Sequence, residues 1–115
     1  MKLIDSNHTK LLAKSLDAYS QRRKAIASNI SNIDTPGYKK QKVSFEDQLR
    51  EAQKISTPND DFKDVQPETH QTDEPIVLED ELMNLSDTQI RVQIATRGLR
   101  HSMGMLRNAI RGQAQ

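Results

Sequence analysis

The sequence predicts an all-α fold in which two long terminal helices pair as an antiparallel coiled-coil hairpin. Three observations predict it: an apolar heptad repeat near each end, the lack of Pro and Gly within residues 1–35, and a Pro-rich, acidic middle. The expected divisions are an N-terminal coiled-coil helix over residues 1–33, a turn, short helix and flexible acidic linker over 34–76, and a C-terminal coiled-coil helix over 77–115.

The N-terminal helix is predicted by large apolar residues that recur at alternating steps of four and three. This spacing places them on one line of the helix surface, and Arg23 takes the single polar position on that line. The expected seam residues are Leu12, Leu16, Tyr19, Ile26, Ile30 and Ile33.

A tight turn is expected directly after the first helix, at Thr35-Pro36-Gly37-Tyr38. Pro36 suits the first central position of a β-turn, and Gly37 supplies the positive φ that the second central position requires. The following proline also pushes Thr35 out of helical geometry, so the helix should end near Ile33.

The remainder of the middle segment is expected to be irregular and largely flexible, with one short helix. Ser44-Phe45-Glu46-Asp47 resembles a capping box, which would open a helix with Phe45, Leu49 and Ala52 on one face. Residues 56–71 contain almost nothing apolar and four acids, which is typical of a mobile linker. The acids are Asp60, Asp61, Asp64 and Glu68.

The C-terminal helix is predicted by a second, longer heptad seam. Acids crowd its first turn and arginines its last, as the helix dipole favours, and Gly112 is a plausible stop. Gln89 and Thr96 are its polar members. The apolar seam residues are Leu78, Leu82, Leu85, Val92, Leu99, Met103, Leu106 and Ile110.

Heptad phase allows two antiparallel registers, which differ by one repeat. In the first, Arg23 meets Gln89; in the second, Leu12 faces Leu106 and the termini come together. The second buries more of the C-terminal seam, so we expect it, together with efficient crosslinking of cysteines at positions 12 and 106.

Three apolar residues, Met83, Ile90 and Ile94, lie off the seam on the back of the second helix. A cluster of this kind suggests a further partner. Apolar residues make up only 34% of the chain, so part of the core is expected to come from other subunits. Residues 1–31 and 84–115 each carry a net charge of +4, and residues 32–83 carry −7, which suggests contacts between unlike regions.

The sequence contains no pattern typical of a catalytic, metal-binding or cofactor-binding site. There is no cysteine, no Gly-rich phosphate loop and no nucleophile elbow. His8, His70 and His101 lack the spacing of zinc ligands, and the middle acids lack the spacing and glycine of a calcium loop. We therefore expect no enzyme activity, no cofactor, no metal and no small-molecule substrate.

Two other function classes remain open. A generic coiled-coil adapter would explain the heptads equally well. Nucleic-acid binding is less favoured, because Pro36 and Gly37 oppose a recognition helix directly after the turn. The basic residues on which it would depend are Arg22, Arg23, Lys24, Lys39, Lys40 and Lys42.

Residues 25–49, AIASNISNIDTPGYKKQKVSFEDQL, closely resemble the N-terminal signature of bacterial flagellar rod and hook proteins. The C-terminal stretch and the length of the chain resemble the proximal rod members of that family. The positions that match the signature are Asn29, Asn32, Thr35, Pro36, Gly37 and Tyr38.

This resemblance implies a structural subunit of the flagellar basal body that polymerises through its terminal helices to help form the axial drive shaft. The implied partners are further copies, other rod subunits, the inner-membrane ring or its adapter, and the flagellar type III export apparatus. The implied location is the periplasmic rod, reached without a cleaved signal peptide, because residues 1–10 lack an apolar signal region.

Overall fold

A computed structural model describes residues 6–54 and 65–113. Two long helices run antiparallel, and a two-stranded β-ribbon and a short helix lie between them in sequence. The elements are α1 (Ser6–Ser31), β1 (Lys40–Ser44), α2 (Glu46–Lys54), β2 (Glu68–Thr72) and α3 (Leu78–Gln113). The two long helices confirm the predicted helical hairpin. Within the described ranges, no helix is both long and apolar enough to cross a membrane.

The most deeply buried positions of the two long helices are mostly small or polar. The buried positions of α1 are Ser15, Ala18, Ala25, Ile26 and Asn29, and those of α3 are Glu81, Thr88, Ala95 and Ser102. Apart from Ile26, these positions keep the heptad spacing but lie one residue before the predicted seam. Small side chains allow two helix backbones to approach closely, which favours this face over the bulkier one.

The predicted seam is consequently divided in the single chain. Ile26 is buried, and seven members are half-buried: Leu12, Leu16, Tyr19, Ile30, Leu85, Val92 and Leu99. Contrary to expectation, the other six keep 38–60% of their surface exposed: Ile33, Leu78, Leu82, Met103, Leu106 and Ile110.

The observed register is the first of the two alternatives, so our expectation of the second was wrong. Arg23 donates to the side-chain oxygen of Gln89 across 2.9 Å. Leu12 packs against Gly98, where an added Cβ would lie 3.1 Å from Leu12 Cδ1. Leu12 therefore does not face Leu106. The observed register brings Asn29 of α1 and Glu81 of α3 into contact at the far end of the hairpin, as described below.

The predicted turn is confirmed. The Tyr38 N–H donates to the Thr35 carbonyl across 3.2 Å, which closes a four-residue turn with Pro36 and Gly37 at its centre. Gly37 has a φ of 78°, the left-handed conformation that only glycine adopts without strain. The chain can therefore leave α1 and turn back along it as β1.

The β-ribbon corrects the expectation of a flexible linker. β1 pairs antiparallel with β2, with Lys40 opposite Thr72 and Val43 opposite Thr69. Unlike charges hold its end: Lys42 Nζ lies 2.7 Å from Glu74 Oε2. β2 was not predicted from the sequence, because its residues are polar. Every residue of β2 except Thr72 is exposed, so the strand needs no apolar side chain. The part of the predicted linker at 55–64 lies outside the described residues.

The short helix α2 is present, but its start differs from the expected capping box. It begins at Glu46, the Phe45 carbonyl accepts the N–H of Leu49 across 2.9 Å, and Ser44 ends β1 instead of capping the helix. Phe45 is only 2% exposed and packs edge-on against Tyr19, with ring centroids 5.3 Å apart. This contact fixes the chain between β1 and α2 against α1.

Candidate functional site

Asn29, one of the predicted signature residues, joins α1 to the ribbon. Its side-chain N–H donates to the Gln41 carbonyl across 2.9 Å, and its side-chain oxygen accepts the Gln41 N–H across 2.8 Å. The amide thus takes the place of a neighbouring strand at the outer edge of β1. Asn29 is 1% exposed, so its side-chain amide bonds to the backbone N–H and carbonyl of Gln41 away from water.

Asn29 also bonds to a buried ion pair between the ribbon and α3. Its N–H donates to Glu81 Oε2 across 3.2 Å, and Lys40 Nζ lies 3.2 Å from Glu81 Oε1. The lysine contact is electrostatic, without the alignment of a hydrogen bond. Glu81 is 1% exposed and Lys40 9%. We call these three residues the Asn29 node. The node holds α1, β1 and α3 together at one point.

Asn32 and Thr35 shape the end of α1. The Asn32 side-chain N–H donates to the Ser28 carbonyl across 2.8 Å, and the Thr35 hydroxyl donates to the Asn32 side-chain oxygen across 3.1 Å. The Ser28 carbonyl, which also accepts the Asn32 backbone N–H, thus receives a second donor at the end of α1. Tyr38 folds back so that its hydroxyl lies 2.7 Å from Ser28 Oγ.

Arg22 ties α1 to the second half of β1. Its guanidinium donates to both carboxylate oxygens of Glu46, at 2.5 and 2.8 Å, and to the Val43 carbonyl at 2.8 Å. It also lies 5.1 Å from the ring centroid of Phe45. Burial raises the pKa of Glu46, but the hydrogen bonds and charge of Arg22 outweigh it, so that the pKa falls below its ordinary value.

A cleft of about 240 Å³ lies between α1, β1 and α3, next to the Asn29 node. It is lined by charged and amide side chains of those elements, including Arg22, Lys40 and Glu81. Each of these charges already has a partner within the chain. Within residues 6–54 and 65–113, no three His, Cys, Asp or Glu side chains are placed to hold a metal ion.

The basic residues that would serve nucleic-acid binding are largely engaged within the protein. Arg22 pairs with Glu46, Lys39 with Asp73 at 3.3 Å, and Lys40 and Lys42 with Glu81 and Glu74. Arg23 bonds to Gln89. A phosphate backbone would have to displace these partners, and this finding weakens the nucleic-acid hypothesis.

The outer side of α3, by contrast, presents large apolar residues to solvent. Met83 is 70% exposed, Ile90 53% and Ile94 64%. These three predicted contact residues lie on the side of α3 that faces away from α1. The exposed seam residues Leu82, Met103, Leu106 and Ile110 lie on a different line of α3, next to its buried positions, and form a second exposed apolar group.

Sequence reasoning missed three residues that carry the geometry: Arg22, Lys40 and Glu81. Each was assigned to a solvated charge cluster, a helix dipole or a basic patch. Only their spacing relative to small neighbours could have indicated burial, since Glu81, Thr88, Ala95 and Ser102 recur every seven residues.

Residues 13–39 match the sequence model of a family described as flagella basal body rod protein. The chain is 51% identical over 37 residues to the flagellar basal body rod protein FlgB of Borreliella burgdorferi and to that of Borrelia hermsii. Each of these matches covers 32% of this chain and 27% of the relative.

A similar relative is the flagellar basal body rod protein FlgB of Bacillus subtilis, which is 38% identical over 55 residues, or 47% of this chain and 43% of that protein. The chain therefore matches less than half of the length of these relatives. The matched family segment, residues 13–39, includes most of α1, its end and the turn.

Proposed function

Since residues 13–39 carry the N-terminal sequence of the flagella basal body rod family, we propose that this protein is a structural, non-enzymatic subunit of the bacterial flagellar rod. It polymerises through α1 and α3 and helps to form the proximal part of the axial drive shaft. The observation that carries the proposal is the apolar surface of α3, which the single chain leaves uncovered.

The amount of exposed apolar surface supports assembly with neighbouring subunits. Among residues 6–54 and 65–113, eleven large apolar side chains are between 38% and 70% exposed, and nine of them belong to α3: Leu78, Leu82, Met83, Ile90, Ile94, Met103, Met105, Leu106 and Ile110. Isolated exposed apolar residues are common, but this many on two sides of one helix mark interaction surfaces. The hairpin leaves these large apolar groups uncovered, so they remain available for other copies.

The matched segment supports a positioning role for the family signature. Asn29, Asn32, Thr35 and Gly37 do not form a pocket; they end α1, turn the chain and anchor β1 to α1 and α3. The helix end and turn set the direction in which the chain leaves α1, and Asn29 fixes α1 and β1 relative to α3. Together they set the shape that each subunit presents to its neighbours.

The partners and location follow from the same proposal. They are further copies, other rod subunits, the inner-membrane ring or its adapter, and the type III export apparatus, which would deliver the chain to the periplasmic rod without cleavage. Export in an unfolded state is favoured by an interface built from alanine, serine and threonine, because such side chains bury little apolar surface per residue.

Ile90→Asp tests the proposal in cells that carry the variant in place of the natural gene. Ile90 is 53% exposed, so the free chain should keep its helix content, measured by circular dichroism. A buried aspartate at a subunit contact should abolish rod assembly and swimming. Motility on soft agar and basal bodies seen by electron microscopy are the measurements.

Gln71→Asp is the control, because it places the same charge at an exposed polar position of β2, away from the outer side of α3. Normal rods in this control together with none in Ile90→Asp would support the apolar contact. Normal rods in Ile90→Asp would contradict it.

A further inference from the structure

The outer face of α3 carries side chains in the order acid, apolar, base. All of them are exposed and lie away from the buried line of Glu81, Thr88 and Ala95. In chain order the charged and large apolar residues of the outer face are Glu79, Asp80, Met83, Asp87, Ile90, Ile94, Arg97 and Arg100, and Asp87 already pairs with Arg91 within the chain.

This order does not follow from the helix dipole alone. The dipole stabilises acids in the first turn and bases in the last turn, and its effect fades beyond them. Glu79 and Asp80 lie in the first turn, but Arg97 and Arg100 lie more than three turns before α3 ends at Gln113. None of these four charges makes an ion pair within residues 6–54 and 65–113.

We propose that the outer face of α3 binds the outer face of α3 in a second copy of the chain, antiparallel, about a two-fold axis near Ile90. In this arrangement Glu79 lies opposite Arg100, Asp80 opposite Arg97, and Met83 opposite Ile94. Ile90 meets its own counterpart at the axis. The two charged pairs and the two apolar contacts require the same alignment of the two helices to within about one helical turn. The contact is therefore self-complementary in charge and in apolar surface.

Other arrangements of the same face match less well. Parallel helices in register would place acids against acids and arginines against arginines, which is unfavourable. Parallel helices staggered to pair the charges would place Ile90 and Ile94 against polar or charged positions near the C-terminal end. Only the antiparallel arrangement satisfies both kinds of side chain at once.

The contact itself does not depend on the proposed function, but one consequence does. It covers Met83, Ile90 and Ile94, the residues that we assign to neighbouring subunits in the rod. The free dimer would thus shield this apolar surface before assembly and would have to open for the chain to enter the rod.

Sedimentation velocity of the purified full chain tests the dimer. We expect a reversible dimer that weakens as salt rises, because its outer pairs are screened. Arg97→Glu with Arg100→Glu should raise the dissociation constant by roughly tenfold or more, and so should Glu79→Lys with Asp80→Lys. All four changes together should restore it, because the charges are then complementary again.

Arg107→Glu with Arg111→Glu is the matched control, since these exposed arginines lie on α3 beyond the proposed contact. This pair should dimerise like the natural chain. A natural chain that stays monomeric at about 100 µM in low salt, or a control that weakens the dimer as much as the Arg97 and Arg100 changes, would overturn the proposal.

Single cysteines test the antiparallel geometry, since the chain contains none of its own. Ile90→Cys should form a disulfide-linked dimer readily. Met83→Cys should crosslink much more readily with Ile94→Cys in a mixture than with itself. The reverse preference would rule out the antiparallel register. Loss of the dimer leaves the Ile90→Asp test in cells unaffected, so the two proposals fail separately.

Discussion

At the scale of single residues, polar side chains decide how this protein packs. Lys40 and Glu81 form a buried ion pair, and Asn29 uses its one amide to bond with both β1 and Glu81. A buried pair of this kind adds little net stability compared with apolar side chains, but breaking it leaves an isolated charge away from water. The Asn29 node therefore acts more through geometric specificity than through binding strength.

Lys40→Met should lower the free energy of unfolding by about 3 kcal/mol, because Glu81 would be left as an unpaired buried carboxylate. Adding Glu81→Gln to Lys40→Met should recover most of the lost free energy of unfolding, since glutamine is neutral and its side-chain oxygen can still accept the Asn29 N–H. Urea unfolding followed by circular dichroism measures both.

Lys39→Met is the control for this pair, because Lys39 and Asp73 form an ion pair with side chains 57% and 91% exposed. Its effect should stay within about 0.5 kcal/mol. An equal loss in Lys39→Met and Lys40→Met would show that burial of the Asn29 node contributes nothing special.

The pKa of Glu46 is held below its ordinary value of 4.5, because the Arg22 hydrogen bonds and charge outweigh burial. A lowered folded-state pKa stabilises the protein above the unfolded-state value, and this advantage is lost as pH falls through the folded-state value. We therefore expect the difference in free energy of unfolding between the natural chain and Glu46→Gln to shrink as the pH falls below the ordinary pKa of the glutamate. Unfolding measured between about pH 6 and pH 3 tests this. In an Arg22→Gln background, the same comparison should vary much less with pH.

At the scale of elements, α1 and α3 each present two parallel lines with heptad spacing. The small and polar line is the more deeply buried, whereas the large apolar line is half-buried or exposed apart from Ile26. Gly98 belongs to the close contact, since Leu12 lies against it, whereas nothing lies within 4 Å of a Cβ added at Gly104. The two helical glycines are therefore in different environments.

Gly104→Ala should raise the free energy of unfolding by roughly 0.5–1 kcal/mol, because alanine favours the helix and meets no neighbour. Gly98→Ala should gain less, because the new Cβ would lie 3.1 Å from Leu12 Cδ1 and Leu12 must shift. Thermal unfolding of the two variants compares them directly. A larger gain at Gly98 would mean that α1 and α3 are farther apart than the structure shows.

At the scale of the whole molecule, the register of the hairpin and the position of the ribbon are linked. The Asn29 node and the Arg23–Gln89 bond require the same register. A shift of one heptad would separate Asn29 from Glu81 and leave both without these partners.

Paired cysteines measure this register. Leu12→Cys with Gly98→Cys should form an intramolecular disulfide readily, because the two positions are in contact. Leu12→Cys with Leu106→Cys should form one far more slowly, since Leu106 lies about two turns farther along α3. The opposite ranking would restore the register that we first expected from the apolar seam.

Much of the candidate site could be predicted from local sequence. The positive φ of Gly37, the turn around Pro36 and the position of Asn29 near a helix end all follow from neighbouring residues. The exposure of Ile90 and Ile94 agrees with their position off the seam. Glu81 and Lys40 could not be recognised, because their burial depends on partners 41 residues away in the sequence.

The amino-acid sequence by itself determined the two long helices, the turn after α1, and the apolar heptad line on each helix, because these depend on residues within a few positions of one another. Only the tertiary structure decided which line closes the hairpin, in which register, and that residues 68–72 form a strand. The reason is that apolar periodicity fixes the spacing of a contact, whereas close backbone approach and the pairing of buried Asn29, Lys40 and Glu81 select the face that makes it.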